Sequence, residues 1–269
     1  MSLRVQNNVE ALQAHRYLGN TAAATAKSME RLSSGYRINR GADDAAGLGI
    51  SEKMRGQIRG LNQAQRNIGD GVSLVQTSEA NLDEVHSMLQ RVRELAVQYN
   101  NSTNSAANKS AIQSEVYQLA SEIERIGSSA EFNGIKVLNA AVTITFQVGA
   151  NDSDSVGVGT ISLGASISSA VFALTSAANT DLAEIDSAID AVSQQRSTFG
   201  AVQNRFEHLM NGLSVYRENL VSSESRIRDV DMAEEMTTMT KYQILQQAGT
   251  SMLAQANQLP QSVLSLLRG

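Results

Sequence analysis

Between Ile58 and Tyr99 an apolar seam advances by three or four residues at a time through Ile58, Leu61, Ile68, Val72, Val75, Leu82, Val85, Leu89, Val92, Ala96 and Tyr99, with only Gln65 and Glu79 polar. No proline interrupts it, because the single proline of the chain is Pro260. Such spacing specifies one face of an α-helix packed on other helices. The pattern predicts a helix from about Ala45 to Tyr99, ~80 Å long at 1.5 Å per residue, where helices usually run to about a dozen residues. A rod of that length cannot fold back on itself and needs partner helices along its flank.

Those partners are present further along. Ile112, Val116, Leu119, Ile123 and Ile126 form a second seam after the polar stretch NNSTNSAANKS, which supplies turn and N-cap residues. A third seam follows Leu182, Ile185, Ile189, Val192, Phe199, Val202, Phe206, Leu209, Leu213, Tyr216, Leu220, Ile227 and Val230. Between them, FNGIKVL and VTITFQVGANDSDSVGVGTISL alternate β-branched residues with Gly, Asn and Asp, which predicts short strands and hairpins. The expected fold class is mainly α: a long antiparallel helical bundle or coiled-coil rod with a small β-hairpin region near the middle of the chain.

Both chain ends carry stripes of their own. Val5, Val9, Leu12, Leu18, Ala22, Ala26, Met29 and Leu32 recur at helical spacing, as do Leu245, Ala248, Met252, Ala256, Leu259, Val263 and Leu266. The two could pair antiparallel. Isolated helices are marginal in water, so the terminal stripes are expected to stay loosely ordered until sister copies cover them. Val5, Val9, Leu12, Met29, Leu32, Leu245, Ala248, Met252, Leu259, Val263 and Leu266 are the expected polymerisation seam.

The loop SGYRINRGADDAAG offers a different set of groups. Gly35 can end the first helix in a left-handed conformation, and Asp43 or Asp44 can cap the next. Arg37 and Arg40 can meet those carboxylates or a neighbour's. The two Asp are adjacent and have no general acid, base or metal partner nearby, which argues against a catalytic carboxylate pair.

Other chemistry is poorly supported. His15, His86 and His208 lack the i, i+4 spacing of a zinc helix, and the chain has no cysteine for thiolate sites. GLGISEKMRG has Glu52 where a dinucleotide loop needs its third glycine. The net charge of -5 argues against coating nucleic acid, although residues 27–66 hold a basic excess that could face acidic helices of the same assembly. The opening MSLRVQNNVE has charges and amides where a secretory leader needs an apolar run, and no membrane-spanning apolar stretch occurs. The expectation is a non-enzymatic protein with no cofactor or metal, no nucleic-acid partner and no membrane insertion.

Several long segments, in order, then carry a family resemblance: ERLSSGYRINRGADDAAGLGISEKMRGQIRGLNQAQRN (30–67), LQRVRELAVQ (89–98), EFNGIKVLN (131–139), ITFQVGAN (144–151), SRIRDVDMAEE (225–235) and AQANQLPQSVLSLLR (254–268). The chain resembles a bacterial flagellin, of a short type lacking large outer domains. That resemblance implies a structural subunit that polymerises into the helical flagellar filament, an extracellular motility propeller, after type III export without a cleaved signal peptide. It also implies an inner terminal coiled-coil domain from 1–43 and 229–269 lining the export channel, a helical rod domain from 44–138 and 176–228, and a short β/loop elaboration at 139–175. The loop with Arg37, Arg40, Asp43 and Asp44 would join the first two. Implied partners are further copies of the chain, the filament cap, hook-filament junction proteins, an export chaperone and the Toll-like flagellin receptor of vertebrate hosts, which Gln90, Arg91, Leu95 and Glu115 would contact.

Overall fold

The computed structural model describes residues 8–163 and 178–268, apart from the side chains of 178–181 and 259–268. The elements among them are α1 (Val9–Ser34), α2 (Ala45–Tyr99), α3 (Ala106–Ser129), β1 (Glu131–Phe132), β2 (Ile135–Lys136), β3 (Thr143–Gln147), β4 (Ser155–Gly159), α4 (Ala178–Arg228) and α5 (Met232–Arg268). They fall into two compact units, one made of Met1–Gly56 and Asn219–Gly269, the other of Gln57–Glu218. The mainly α class with a small hairpin region, and the α2 bounds read from the seam, are as expected. Part of the 139–175 segment, residues 164–175, lies outside the described residues.

The unit from Gln57–Glu218 is built around the α2 seam. Leu61, Ile68, Val75, Leu82, Val85, Leu89, Val92 and Ala96 are buried, and from Ile68 onward they pack with Ile112, Val116 and Ile123 of α3 and Ile185, Val192, Phe199 and Phe206 of α4. Three helices thus close one core, as their three seams require. The two polar breaks in the α2 seam have partners on α4. Gln65 donates from Nε2 to Ser214 Oγ at 2.9 Å, and Glu79 lies 3.9 Å from Arg196, which also pairs with Asp83 at 2.9 Å.

Two antiparallel hairpins complete this unit. In the first, Phe132 pairs with Ile135 across Asn133 and Gly134, whose φ values of 50° and 78° are what a two-residue hairpin turn of the Asn-Gly kind demands. In the second, Thr143 pairs with Gly159 and Gln147 with Ser155. Val156 and Val158 point into the core while Ser155, Gly157 and Gly159 face out, the period-two signature of a half-buried strand. Phe146 meets Phe206 edge to face at 5.9 Å, and Asn67 donates from Nδ2 to the Gln147 carbonyl at 3.0 Å. These contacts fasten the hairpin to α4 and α2. Gly71 makes room for the arrangement, since a Cβ there would stand 2.9 Å from the buried Phe206 ring.

In the other unit α1 and α5 run antiparallel. Asn8 caps α1 by accepting from Ala11 N, and its Nδ2 donates to the Ala256 carbonyl at 2.8 Å. At the opposite end Arg31 meets Glu235 at 3.4 Å. Asp44 caps α2 by accepting from Gly47 N at 2.9 Å.

Candidate functional site

The α1–α5 pair meets along a seam that mixes small side chains with a few half-buried larger ones. On α1 the buried or half-buried residues include Ala11, Ala14, Leu18, Thr21, Thr25, Ser28 and Leu32, at alternating steps of three and four. On α5 they include Glu235, Tyr242, Gln246, Gly249, Leu253 and Ala256, again in heptad register. Leu18 Cδ1 lies 3.4 Å from the position a Cβ on Gly249 would take. Thr21 and Thr25 donate their hydroxyls to carbonyls four residues back, both at 2.9 Å, so these two seam hydroxyls are paired within their own helix.

The apolar stripes expected from the sequence are therefore divided. Leu18, Leu32 and Ala256 contribute to the pairing face, whereas Val9, Leu12, Met29, Leu245, Ala248 and Met252 are left exposed. Met232, Met236 and Ile244 join them outside. Val5 lies outside the described residues, as do the side chains of Leu259, Val263 and Leu266. A groove of about 660 Å³ follows the pair, lined in part by Ala14, Leu18, Leu245, Ala248 and Met252. One exposed leucine needs no explanation, but large apolar side chains concentrated on a single helix pair form a surface suited to association.

The loop after α1 is locked by a dense polar network. Gly35 ends α1 at φ 74°, in the left-handed region, and its N–H donates to the Arg31 carbonyl. Tyr36 then pairs with Asp229 as an antiparallel bridge, flanked by bonds from Arg37 N to the Arg228 carbonyl at 2.7 Å and from Val230 N to the Gly35 carbonyl at 3.1 Å. Within the chain the two arginine side chains do not pair with the Asp43 or Asp44 carboxylates. Arg37 donates to the Ile227 carbonyl at 2.6 Å and Arg40 pairs with Glu30 at 2.9 Å. Asp43 instead takes Lys27 at 2.7 Å and accepts from the backbone N–H groups of Asn39 and Arg40. The Lys27 ammonium, with the Arg40 and Asn39 amides, lowers the Asp43 pKa to about 2.

Sequence reasoning missed the residue at the centre of this network. The Tyr36 ring lies 5.3 Å from the Arg55 guanidinium and 4.9 Å from that of Arg228, and its hydroxyl accepts from Arg55 at 2.8 Å. Glu224 pairs with Arg55 at 3.0 Å and Glu52 with Arg228 at 2.6 Å. A tyrosine in a polar loop of a chain that is only 4% aromatic was the available signal.

A second surface lies on α2 and α3. Arg91 donates from Nε and Nη2 to Glu115 at 3.1 and 3.0 Å and from Nη1 to Glu94 at 3.1 Å, joining the two helices on the outside. Gln90, Arg91 and Glu115 are exposed. Leu95, expected on the same surface, is only 2% exposed and belongs to the core, because the α2 face turned to α3 and α4 is wider than one residue per turn. Among the described residues no group of three or more His, Cys, Asp or Glu could hold a metal ion, and no helix is long and apolar enough to cross a membrane.

Comparison with known proteins agrees with this architecture. Residues 5–143 match the model of the bacterial flagellin N-terminal helical region, and residues 182–267 that of the C-terminal helical region. The flagellin of Halalkalibacterium halodurans is 51% identical over 98% of this chain and 99% of its own, and that of Bacillus subtilis is 45% identical over 99% and 100%. The crystal structure of Bacillus cereus flagellin is similar over 55% of this chain and 88% of its own, with 29% identity and a TM-score of 0.50. Because relatives are spanned from end to end, the short form without large outer domains is shared with them. The matched regions include both terminal helices and the rod seams, and the chain belongs to the bacterial flagellin family.

Proposed function

We propose that this flagellin, a structural subunit of the extracellular bacterial flagellar filament and not an enzyme, polymerises by burying the exposed apolar residues of its α1–α5 pair against further copies of itself. The observation that carries the reading is the division of side chains on that pair. Small groups and half-buried Leu18, Leu32, Tyr242 and Leu253 lie between the two helices, while Leu12, Met29, Leu245 and Met252 remain in water. A pair joined through alanine, glycine and hydroxyl groups with only half-buried Leu18, Leu32, Tyr242 and Leu253 among them leaves much of its apolar area in water, so neighbouring copies supply the rest of its stabilisation. In the filament the terminal domain lines the central export channel, and the segment with Arg37, Arg40, Asp43 and Asp44 links it to the rod. Electron microscopy of the chain alone, brought to neutral pH after acid dissociation, tests the reading. Long filaments, with a rise in helical circular dichroism on assembly, are expected; copies that stay dispersed at high concentration would remove it.

The finer partners rest on the family resemblance. The subunit travels through the flagellum's own type III export channel, meets an export chaperone on the way, and joins the filament beside hook-filament junction proteins and beneath the cap. The exposed Gln90, Arg91 and Glu115 form the contact for the Toll-like flagellin receptor of vertebrate hosts, with Leu95 supporting them from the core. Substituting Arg91→Ala should abolish a receptor reporter response to the monomer. An unchanged response would exclude this surface.

A further inference from the structure

Methionine is the only sulfur-bearing side chain here, since the chain has no cysteine. Its most exposed members lie in one unit. Met29, Met232, Met236 and Met252 are 53%, 49%, 48% and 61% exposed, and all four belong to the α1–α5 pair. Met88 and Met210 of the other unit are half-buried against the hydrophobic core, and Met54 and Met239 of the terminal unit are half-buried as well. Exposed large apolar residues of the pair thus include four thioethers on the face read above as the polymerising one.

We propose that Met29, Met232, Met236 and Met252 form an oxidative modification site of the free subunit, at which a peroxide converts thioethers to sulfoxides and removes the subunit from the polymerising pool. The sulfur lone pair attacks one peroxide oxygen, forming the S–O bond as the O–O bond breaks, and the proton on the transferred oxygen is lost to the departing hydroxide, which leaves as water. Sulfur loses two electrons and the peroxide gains them. No thiol competes for the oxidant within the chain, so accessibility of the thioether decides where the reaction occurs. Sulfoxide formation replaces a flexible apolar side chain with a polar one. In the isolated subunit this changes little, because these groups already face water. In an assembled contact it places an S=O group where an apolar neighbour would lie, which carries the cost of burying an unpaired polar group. The second consequence depends on the proposed filament contact, whereas the selectivity of oxidation does not.

The test treats the purified full-length monomer with hydrogen peroxide, quenches with free methionine, and maps sulfoxides by peptide mass spectrometry. Oxidation of Met29, Met232, Met236 and Met252 should run at least fivefold faster than that of Met88 and Met210; equal rates would overturn the site. Treated monomer should then need at least a tenfold higher concentration to form filaments, at unchanged helical circular dichroism. Treatment with a methionine sulfoxide reductase should restore the original concentration. A subunit carrying Met29→Leu, Met232→Leu, Met236→Leu and Met252→Leu should polymerise equally well with or without peroxide. Loss of assembly in that variant as large as in the unsubstituted chain would overturn the assignment, as would fully oxidised monomer that assembles normally. If the untreated chain does not polymerise, the filament reading fails, and the sulfoxide map still decides the modification site by itself.

Discussion

Replacing Leu12 and Leu245 together with glutamine separates folding of the subunit from its assembly. Both side chains sit on the terminal helices, with 67% and 46% of their surface in water. Glutamine is a good helix former, so the exchange should change monomer stability by no more than about 0.5 kcal/mol per site. Full burial of a leucine is worth about 1.5 to 3 kcal/mol. Scaling by the exposed fractions leaves about 1 to 2 kcal/mol for Leu12 and about 0.7 to 1.4 kcal/mol for Leu245 to be gained on assembly. Their sum, about 1.7 to 3.4 kcal/mol, corresponds to a critical concentration raised roughly 15- to 250-fold at 1.4 kcal/mol per factor of ten. Sedimentation of filaments over a subunit dilution series measures that concentration directly, and denaturant unfolding of the monomer supplies the control. A critical concentration within twofold of the unsubstituted chain, at unchanged monomer stability, would refute the reasoning, because the exposed apolar face would then have no part in the filament.

Three further outcomes follow from the geometry of the individual units. Phe206→Ala should destabilise the unit from Gln57–Glu218 by about 3 to 5 kcal/mol in denaturant unfolding, since it empties a fully buried ring site and removes the edge-to-face contact with Phe146; a loss under about 1 kcal/mol would mean that the hairpin does not depend on this ring. Gly71→Ala should also destabilise, by about 1 to 2 kcal/mol, despite the better helix propensity of alanine, because the new methyl meets the Phe206 ring at 2.9 Å. Thermal melting at one scan rate would show it, and a raised midpoint would contradict the tight fit. For Asp43, a folded pKa lowered to about 2 from 3.8 means that its contribution is full above about pH 4 and is lost as pH falls through about 2. Asp43→Asn should therefore be less stable than the unsubstituted chain at neutral pH, and its stability should fall less steeply with acid between those values; parallel acid titrations would show that Asp43 carries none of the acid sensitivity.

Much of this protein was legible in its residues because helices of such length are specified locally. The α2 bounds, the left-handed end of α1 at Gly35 and the turn at Asn133 and Gly134 all follow from spacing, the lack of proline and the tolerance of glycine and asparagine for positive φ. The three rod seams followed as well, since a repeated apolar step leaves one face to bury, except that the third ends at Leu213: Tyr216 is exposed, and Leu220, Ile227 and Val230 fall in the other unit. Periodicity identifies a stripe but does not name what covers it. On the terminal helices two stripes compete, and only the three-dimensional pairing chose the one with Ala11, Ala14, Leu18 and Gly249, leaving Leu12, Leu245 and Met252 outside. Leu95 shows the same limit: it lies just beside the α2 seam, and the positions of α3 and α4 put it in the core. The polar loop was the least predictable part. Arg37, Arg40 and Asp43 could each pair with several groups of opposite charge or with backbone, and the choice was made by residues distant in sequence, Ile227 and Lys27 among them. Sequence alone determined where the helices run and that they must pack. Tertiary structure decided which faces meet and which stay in water, because that depends on the shape and charge of partners brought close only by folding.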